Sequence, residues 1–592
     1  MLKRGLGLTI FVGLLGCGDS GGGDGDGETD GTTSDDTTST TSTTGDGTTS
    51  TTTGDGTTST TGTTTGDGDG DGDGDPLCGN GVIDPGEFCD DGVGFTCTVC
   101  DVESTGIDGT IRIPGQAPAD LSATSIASAG DVDGDGRDDL LIGAPGHDMP
   151  EDGGGKAYLL LATDLDLQPT RTDVSLADAS YTFVGAAFEG AATSVASAGD
   201  VDGDGRPDLL IAAQNSDIAG ADSGTTYLVL AADVLAQPAG STISLADAAY
   251  RFEGETAGDR SGSVAVSAGD VDGDGNDDLL LSAASFTAPG ADYETGKAYL
   301  MLASEIVAQP VGTSFSLADA SYGLTPPIGA TITDEVTLQS VASAGDVDGD
   351  GKDDLLLGAH QTNGFGAGTS YLVLASDLLA QPSGTNVDLA AASYRFTGEA
   401  SGDLSGCSVA SAGDVDGDGQ ADLLIGARMN DTGGNNYGTT YLMLGAGITA
   451  QPTGTAIGLG TAPYRFAGSV VTSGFSPWTG YVVAGAGDVD DDGFGDVLIG
   501  SGAGAAYLVR AADITAREAG TADAVFALGT DASATFLGVK EDETGRVLAA
   551  AGDVNGDGKS DLLIGAPRHD EGQDGDLDTA DEGMTYLITS PY

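Results

Sequence analysis

The chain of 592 residues sets 20 Lys and Arg against 93 Asp and Glu, and its formal charge of −73 repels nucleic acid and anionic head groups while favouring cations. With 100 glycines and only 5% aromatics it reads as a turn-rich chain of short strands with a core of Leu, Val, Ile and Ala, and long helices are excluded. Length does not convert into a domain count here, because one pattern recurs about every 70 residues.

At the N-terminus Lys3 and Arg4 precede an apolar run from Leu6 to Leu15, too short to span a bilayer and of the length of a secretory signal. The run ends Leu14-Leu15-Gly16-Cys17. That ending resembles the bacterial lipobox. The resemblance implies a lipoprotein signal peptide over 1–16, lipidation of Cys17 and, with Gly18 rather than Asp following, an outer-membrane lipoprotein at the cell surface. Acyl chains on Cys17 would supply the only membrane contact. An ordinary cleaved signal with an incidental Cys is the alternative.

Residues 17–75 are almost wholly Gly, Asp, Ser and Thr. They cannot bury enough apolar surface to offset ordering entropy, so they are expected to form a disordered linker rather than a cation site. Cys78, Cys89, Cys97 and Cys100 then crowd into residues 76–103, a span too small for its own core. Outside the inner membrane they read as two disulfides of undetermined pairing, with a zinc site through Cys97 and Cys100 as the competitor. The run from Cys78 to Gly92 resembles the short Cys-rich repeat of myxobacterial secreted proteins, which implies a surface context and no activity.

From 107 to 592 the repeating unit is a small-residue apolar run, a loop of alternating Asp, and a second apolar run. The unit reads strand, cation loop, strand. Two further strand candidates complete it, in the fifth copy Thr440–Leu444 and Tyr464–Gly468. Seven units of four short strands describe an all-β, seven-bladed β-propeller, and runs such as Leu140-Leu141-Ile142 suit sheets covered on both faces.

In the first loop Asp131, Asp133 and Asp135 fall at positions one, three and five, Gly136 allows a sharp turn at six, Arg137 offers its carbonyl at seven, and Asp139 closes the site at nine. The same positions hold Asp200, Asp202, Asp204, Arg206 and Asp208; Asp270, Asp272, Asp274, Asn276 and Asp278; and Asp346, Asp348, Asp350, Lys352 and Asp354. They continue with Asp414, Asp416, Asp418, Gln420 and Asp422; Asp488, Asp490, Asp492, Phe494 and Asp496; and Asp553, Asn555, Asp557, Lys559 and Asp561. Hard oxygen ligands at this spacing suit Ca²⁺, up to seven ions, better than Mg²⁺. An EF-hand would need Glu at position twelve, where this chain has Ile142, Ile211, Leu281, Leu357, Ile425, Ile499 and Ile564. Solvated Asp-Gly turns are the bland alternative. Asn555 removes a charge, so the seventh loop is expected to bind more weakly, while Asp491 adds one to the sixth. Asp138, Asp277 and Asp353, at position eight, are expected to face solvent.

Phe396-Thr397-Gly398, Ser408-Val409-Ala410, Asp414 to Gly419 and Gly565-Ala566-Pro567 resemble FG-GAP repeats of integrin α-subunit propellers. The resemblance implies that the acidic loops lie on the lower face and that blade and repeat boundaries are offset. On that footing the last blade lacks its fourth strand, and residues 109–115 are expected to supply it by pairing with residues 585–588. Integrin ligand recognition does not carry over, since it depends partly on a partner subunit.

The only histidines, His147, His360 and His569, follow second strands and read as polar surface rather than a catalytic cluster. Cys407, unpaired by count, reads as a buried inert thiol. No nucleophile elbow, zinc helix or phosphate loop accompanies them, so the expected function is a calcium-binding cell-surface adhesion or ligand-binding module, not an enzyme. Its protein or glycan ligand would meet upper loops such as 145–156, 285–297 and 566–583. A structural envelope component, or less readily a hydrolase on a propeller scaffold, is the alternative.

Overall fold

The computed structural model describes residues 99–101, 110–117, 119–147, 153–166, 173–291, 293–327, 337–360, 366–469, 476–538, 542–569 and 581–590. Cys17, the linker to residue 75, and Cys78, Cys89 and Cys97 lie outside them, as do residues 148–152, 292 and 570–580 of the upper loops.

Repeats one to six each supply four antiparallel strands of a blade from their own sequence. In the first, Ser125–Gly130, Asp139–Ala144, Lys156–Leu160 and Tyr181–Val184 pair antiparallel in order. Asp139–Ala144 is buried along its whole length, which is why it is a continuous apolar run rather than an alternation. Ile142, the position-twelve residue, lies opposite Tyr158 of the third strand. The register recurs at Ile211–Tyr227, Leu281–Tyr299, Leu357–Tyr371, Ile425–Tyr441, Ile499–Tyr507 and Ile564–Tyr586. Repetition of one register through seven sheets makes the chain a seven-bladed β-propeller.

The first strand of each blade ends in a bulge that throws the chain into the acidic loop. Pairing shifts between Ser128 and Gly130, whose φ of +72° a side chain would resist, and the Gly130 N–H donates to Ser128 Oγ at 3.1 Å. All acidic loops therefore leave from one end of the blades. The loops from second to third strand leave from the other.

Four strands per blade were expected, but six of the seven sheets hold five. The fifth is a strap from the next repeat. Ser241–Ser244 of repeat two runs parallel to Tyr181–Val184 of blade one, and Thr313–Ser316, Thr385–Asp388, Thr455–Gly458 and Val525–Ala527 repeat the step. Each strap covers a sheet edge that would otherwise stay unpaired. Ile243, Phe315, Val387 and Ile457 pack from the straps onto the cores.

The ring closes where the offset requires. Thr110–Pro114 pairs antiparallel with Met584–Ile588, giving blade seven the fourth strand expected from residues 109–115. A second closure was not foreseen: Val99–Asp101 runs parallel to Ala534–Leu537 and is the fifth strand of blade six. Thus Cys100, grouped in sequence with the Cys-rich module, stands in a propeller strand. One core joins Ile113, Ile126 and Leu140 to Val547, Leu563 and Leu587 across the seam. At about 1.5–3 kcal/mol per buried aliphatic side chain, this contact outweighs the few hydrogen bonds of the strands themselves.

Candidate metal centre

Each acidic loop is wound around the carboxylate of its first residue. Asp131 Oδ1 accepts from the N–H groups of Gly134 and Asp135 at 2.7 and 2.9 Å, and Oδ2 accepts from Gly136 at 2.8 Å. Asp133 Oδ1 accepts from the Asp135 N–H and Asp135 Oδ1 from the Arg137 N–H, both at 3.0 Å. Repeated Asx turns of this kind turn the remaining lone pairs of positions one, three and five toward a common centre.

Position nine comes back from the second strand to close the loop. Asp139 is fully buried, its Oδ2 accepting from the Val132 N–H at 3.0 Å and its Oδ1 from the Ala162 N–H at 2.8 Å. Ala162 opens the five-residue helix that follows the third strand. Asp208, Asp278, Asp354, Asp422 and Asp496 make the same two bonds, and Asp561 makes them to Val554 and Ser590. One residue therefore belongs at once to the loop and to the helix start.

The loops gather negative charge in partly dry surroundings. Carboxylate oxygens of Asp131, Asp133 and Asp139 lie within 4.8 Å of one another, as do those of Asp200, Asp202 and Asp204. The trios Asp270, Asp272, Asp278; Asp346, Asp348, Asp354; and Asp414, Asp416, Asp422 do the same. Burial, and then the neighbouring aspartates, push Asp139, Asp208, Asp278, Asp354, Asp422, Asp496 and Asp561 up to about 7. Burial and like charge also raise Asp202, Asp272, Asp348, Asp416 and Asp490. In the sixth loop Asp490 Oδ1 is buried and makes no hydrogen bond. An oxygen in that state is costly unless a cation takes it. The donor set, all carboxylate and carbonyl oxygen, fits a hard divalent ion.

Position eight departs from expectation. Asp138, Asp277 and Asp353 do not face solvent; their carboxylates accept at 2.8, 2.8 and 2.9 Å from the N–H groups of Asp553, Asp200 and Asp270, each the first aspartate of the preceding loop. Position seven also reaches backward. Arg206 donates to the Val132 carbonyl at 3.0 Å, and Lys352 Nζ to that of Asp272. In the sixth blade Nη1 of Arg510, just after the third strand, meets Asp490 Oδ2 at 3.3 Å, and Asp491 takes a positive φ of +62° where the other loops have a left-handed glycine, such as Gly134 at +79°.

The opposite rim varies one theme, a carboxylate bonded to the residue 27 positions on, at Asp120–His147, Glu189–Ser216, Asp403–Asn430 and Asp542–His569. His147 Nδ1 bonds Asp120 at 2.9 Å while its Nε2 meets Lys156, and His569 Nδ1 bonds Asp542 at 2.7 Å. His360, expected as polar surface, ends a strand at 3% exposure with Nδ1 unpartnered, and burial followed by Arg428 pushes it down to about 3. The three histidines sit on blades one, four and seven with different partners. Glu189 takes bonds from Ser216 and Tyr227, Lys297 pairs with Glu255, and Asn430 Nδ2 donates to Asp403. Cys407 is buried, as expected, with its Sγ 3.5 Å from the Gly480 carbonyl oxygen and 3.7 Å from that of Gly426.

The comparisons with known proteins agree with the repeat. Residues 123–160, 191–229, 263–301, 339–373, 408–443 and 544–587 match the FG-GAP repeat family. Blade six, which carries Asp491 and Arg510, lies outside the matched segments. No curated protein matches the chain.

Proposed function

We propose, from the match of six blades to the FG-GAP repeat family, that this chain is a calcium-binding propeller that works as an adhesion or ligand-binding module rather than an enzyme. The observation that carries the reading is the recurrence of one oxygen-only loop in every blade, with a buried closing carboxylate held near neutral pKa. Positions one, three, five and nine would hold Ca²⁺ through their carboxylates, with the carbonyl of position seven. The ion would supply the positive charge that the crowded carboxylates lack.

Loop diversity on the far rim supports a recognition surface there. A shared turn dressed with different side chains from blade to blade is how binding proteins vary specificity without altering the fold. The ligand is read as a protein or glycan, and Cys17 as the lipidated tether to the outer membrane. Metal analysis of the purified chain, before and after dialysis against EDTA, tests the first part, and stoichiometric Ca²⁺ is expected. Exchange of the 285–297 and 566–583 loops, followed by glycan and protein capture, tests the second.

A further inference from the structure

We propose that the cation loops of this chain load as coupled neighbours, with the position-eight residue of each loop as the positioning residue that links it to the loop before. The inference rests on the reading of the loops as Ca²⁺ sites. It concerns what joins one site to the next.

Asp277 and Asp278 are consecutive in the third loop. Asp278 closes that loop, while Asp277 holds the backbone of Asp200, the first ligand of the second loop, from both sides: its Oδ2 accepts the Asp200 N–H at 2.8 Å, and its own N–H donates to the Asp200 carbonyl at 3.0 Å. A closing ligand of one site is thus one peptide and two hydrogen bonds from the leading ligand of another. Asp353 grips Asp270 in the same way at 2.9 and 3.2 Å, and Asp138 grips Asp553 across the ring seam at 2.8 and 3.1 Å.

Other junctions are thinner. Ala421 and Gly495 keep only the backbone bond, each 2.9 Å to the carbonyl of Asp346 or Asp414, while Ser560 adds to its 2.9 Å bond to the Asp488 carbonyl a hydroxyl bond of 2.7 Å to the carbonyl of Ala486 and leaves the Asp488 N–H ungripped. Pro207 has no N–H to give, and the contact between loops two and one passes instead through the Arg206 side chain to Val132. The ring therefore holds a strongly joined run of loops two, three and four, a second strong joint between loops seven and one, and weak joints elsewhere.

The physical link is ordering. An ion that fixes Asp278 fixes the Asp277 peptide, which places the Asp200 backbone and hence its carboxylate; the neighbour then pays less of the ordering entropy when it binds. By linkage the benefit is mutual. Like charge on adjacent ions opposes it, but the Asp277 carboxylate between the sites offsets part of that repulsion.

The test counts bound ions on the full chain by native mass spectrometry across a Ca²⁺ titration. In the unmodified chain, coupling predicts that partly loaded species are scarcer than independent filling allows. Disabling loop three with Asp272→Asn and Asp274→Asn should remove one ion and weaken two further binding steps by about fivefold, the low end of ordinary coupling. Asp277→Ala, which leaves all ligands in place, should weaken neighbouring steps by a similar factor. Asp277→Asn, which keeps an oxygen to accept the Asp200 N–H, should restore most of the loss; a merely structural role would show as a lower melting temperature with unchanged binding steps. Loss of one ion with all other steps unmoved, in the loop-three variant and in Asp277→Ala, would overturn the coupling while leaving the Ca²⁺ sites intact. A chain that binds no Ca²⁺ would overturn both.

Discussion

The two rims of the propeller are built on opposite principles. On the acidic rim, the same backbone N–H groups meet the same carboxylates in blade after blade, from Asp131 to Asp553. On the far rim a histidine–aspartate pair, a glutamate–tyrosine contact and a lysine–glutamate pair occupy equivalent ends of different blades. Repetition marks a requirement shared by every blade, which is to hold crowded carboxylates together. Variation marks freedom from that requirement, and a surface free to vary is available for recognition.

Metal removal should divide the rims most sharply. An ion at a hundred times its Kd stabilises by about 2.7 kcal/mol per site, so stripping several loops with EDTA should lower the melting temperature by on the order of 10 °C or more. Replacing the exposed Thr287, Pro289 and Glu294 of the far rim with Gly or Ser should change it far less. Equal melting with and without chelator, followed by calorimetry, would dissolve the contrast.

Next in size is the closing carboxylate itself. Asp278→Ala leaves the buried N–H groups of Val271 and Ala303 without an acceptor, at a cost of about 2–5 kcal/mol. Urea unfolding in EDTA measures this without the metal's contribution. Asp278→Asn, keeping one acceptor oxygen, should lose about half as much. A loss seen only with Ca²⁺ present would make Asp278 a ligand and not a structural pin.

Sequence carried the acidic rim because its logic is local: all the donors and acceptors that shape a loop lie within nine residues. The ring seam at residues 110–114 was legible for a related reason, since a repeat cut out of register leaves one strand too many at one end and one too few at the other. What sequence hid spans repeats. The grip of Asp277 on Asp200 joins residues 77 apart, and that of Asp138 on Asp553 residues 415 apart, so neither leaves a mark on the pattern of one loop. The straps, four residues such as Ser241–Ser244 with one inward apolar side chain each, are too short to stand out from the turns around them.

Titration should set the rims against each other. The position-nine aspartates have folded-state pKa values near 7, above the ordinary 3.8, so in the metal-free chain their protonated form stabilises the fold fully below about pH 4, and this is lost as pH rises through 7. Bound Ca²⁺, which takes the ionised form, should abolish that decline. His360 runs the other way: its value is depressed to about 3, so its contribution is present above 6.5 and lost as pH falls. Denaturant midpoints from pH 4 to 8 in EDTA should therefore fall with rising pH, and His360→Asn should remove a smaller, opposite slope below 6.5. A midpoint rising from pH 5 to 8 without metal would contradict the assignment of the acidic rim.

The smallest expected effect concerns one residue of the far rim. Glu189, Asp259 and Asp403 each accept an N–H three residues back, from Ala186, Thr256 and Ala400, so the turns before them are equivalent. Gly258 and Gly402 take φ values of +89° and +95° in two of these turns; in the third the place belongs to Phe188, at +68° and 73% exposed. A left-handed side chain costs about 1–2 kcal/mol, while glycine loses about 0.5–1 kcal/mol of unfolded-state entropy, so Phe188→Gly should move stability by no more than about 1 kcal/mol and toward the stable side. Nothing in the fold repays an exposed ring held in that conformation, whereas contact with a ligand would. The comparison of rims thus sharpens to one measurement: Phe188→Gly should leave Ca²⁺ stoichiometry and melting nearly unchanged while weakening capture of whatever the far rim binds, and a variant that captures as well as the parent would place recognition elsewhere on the rim.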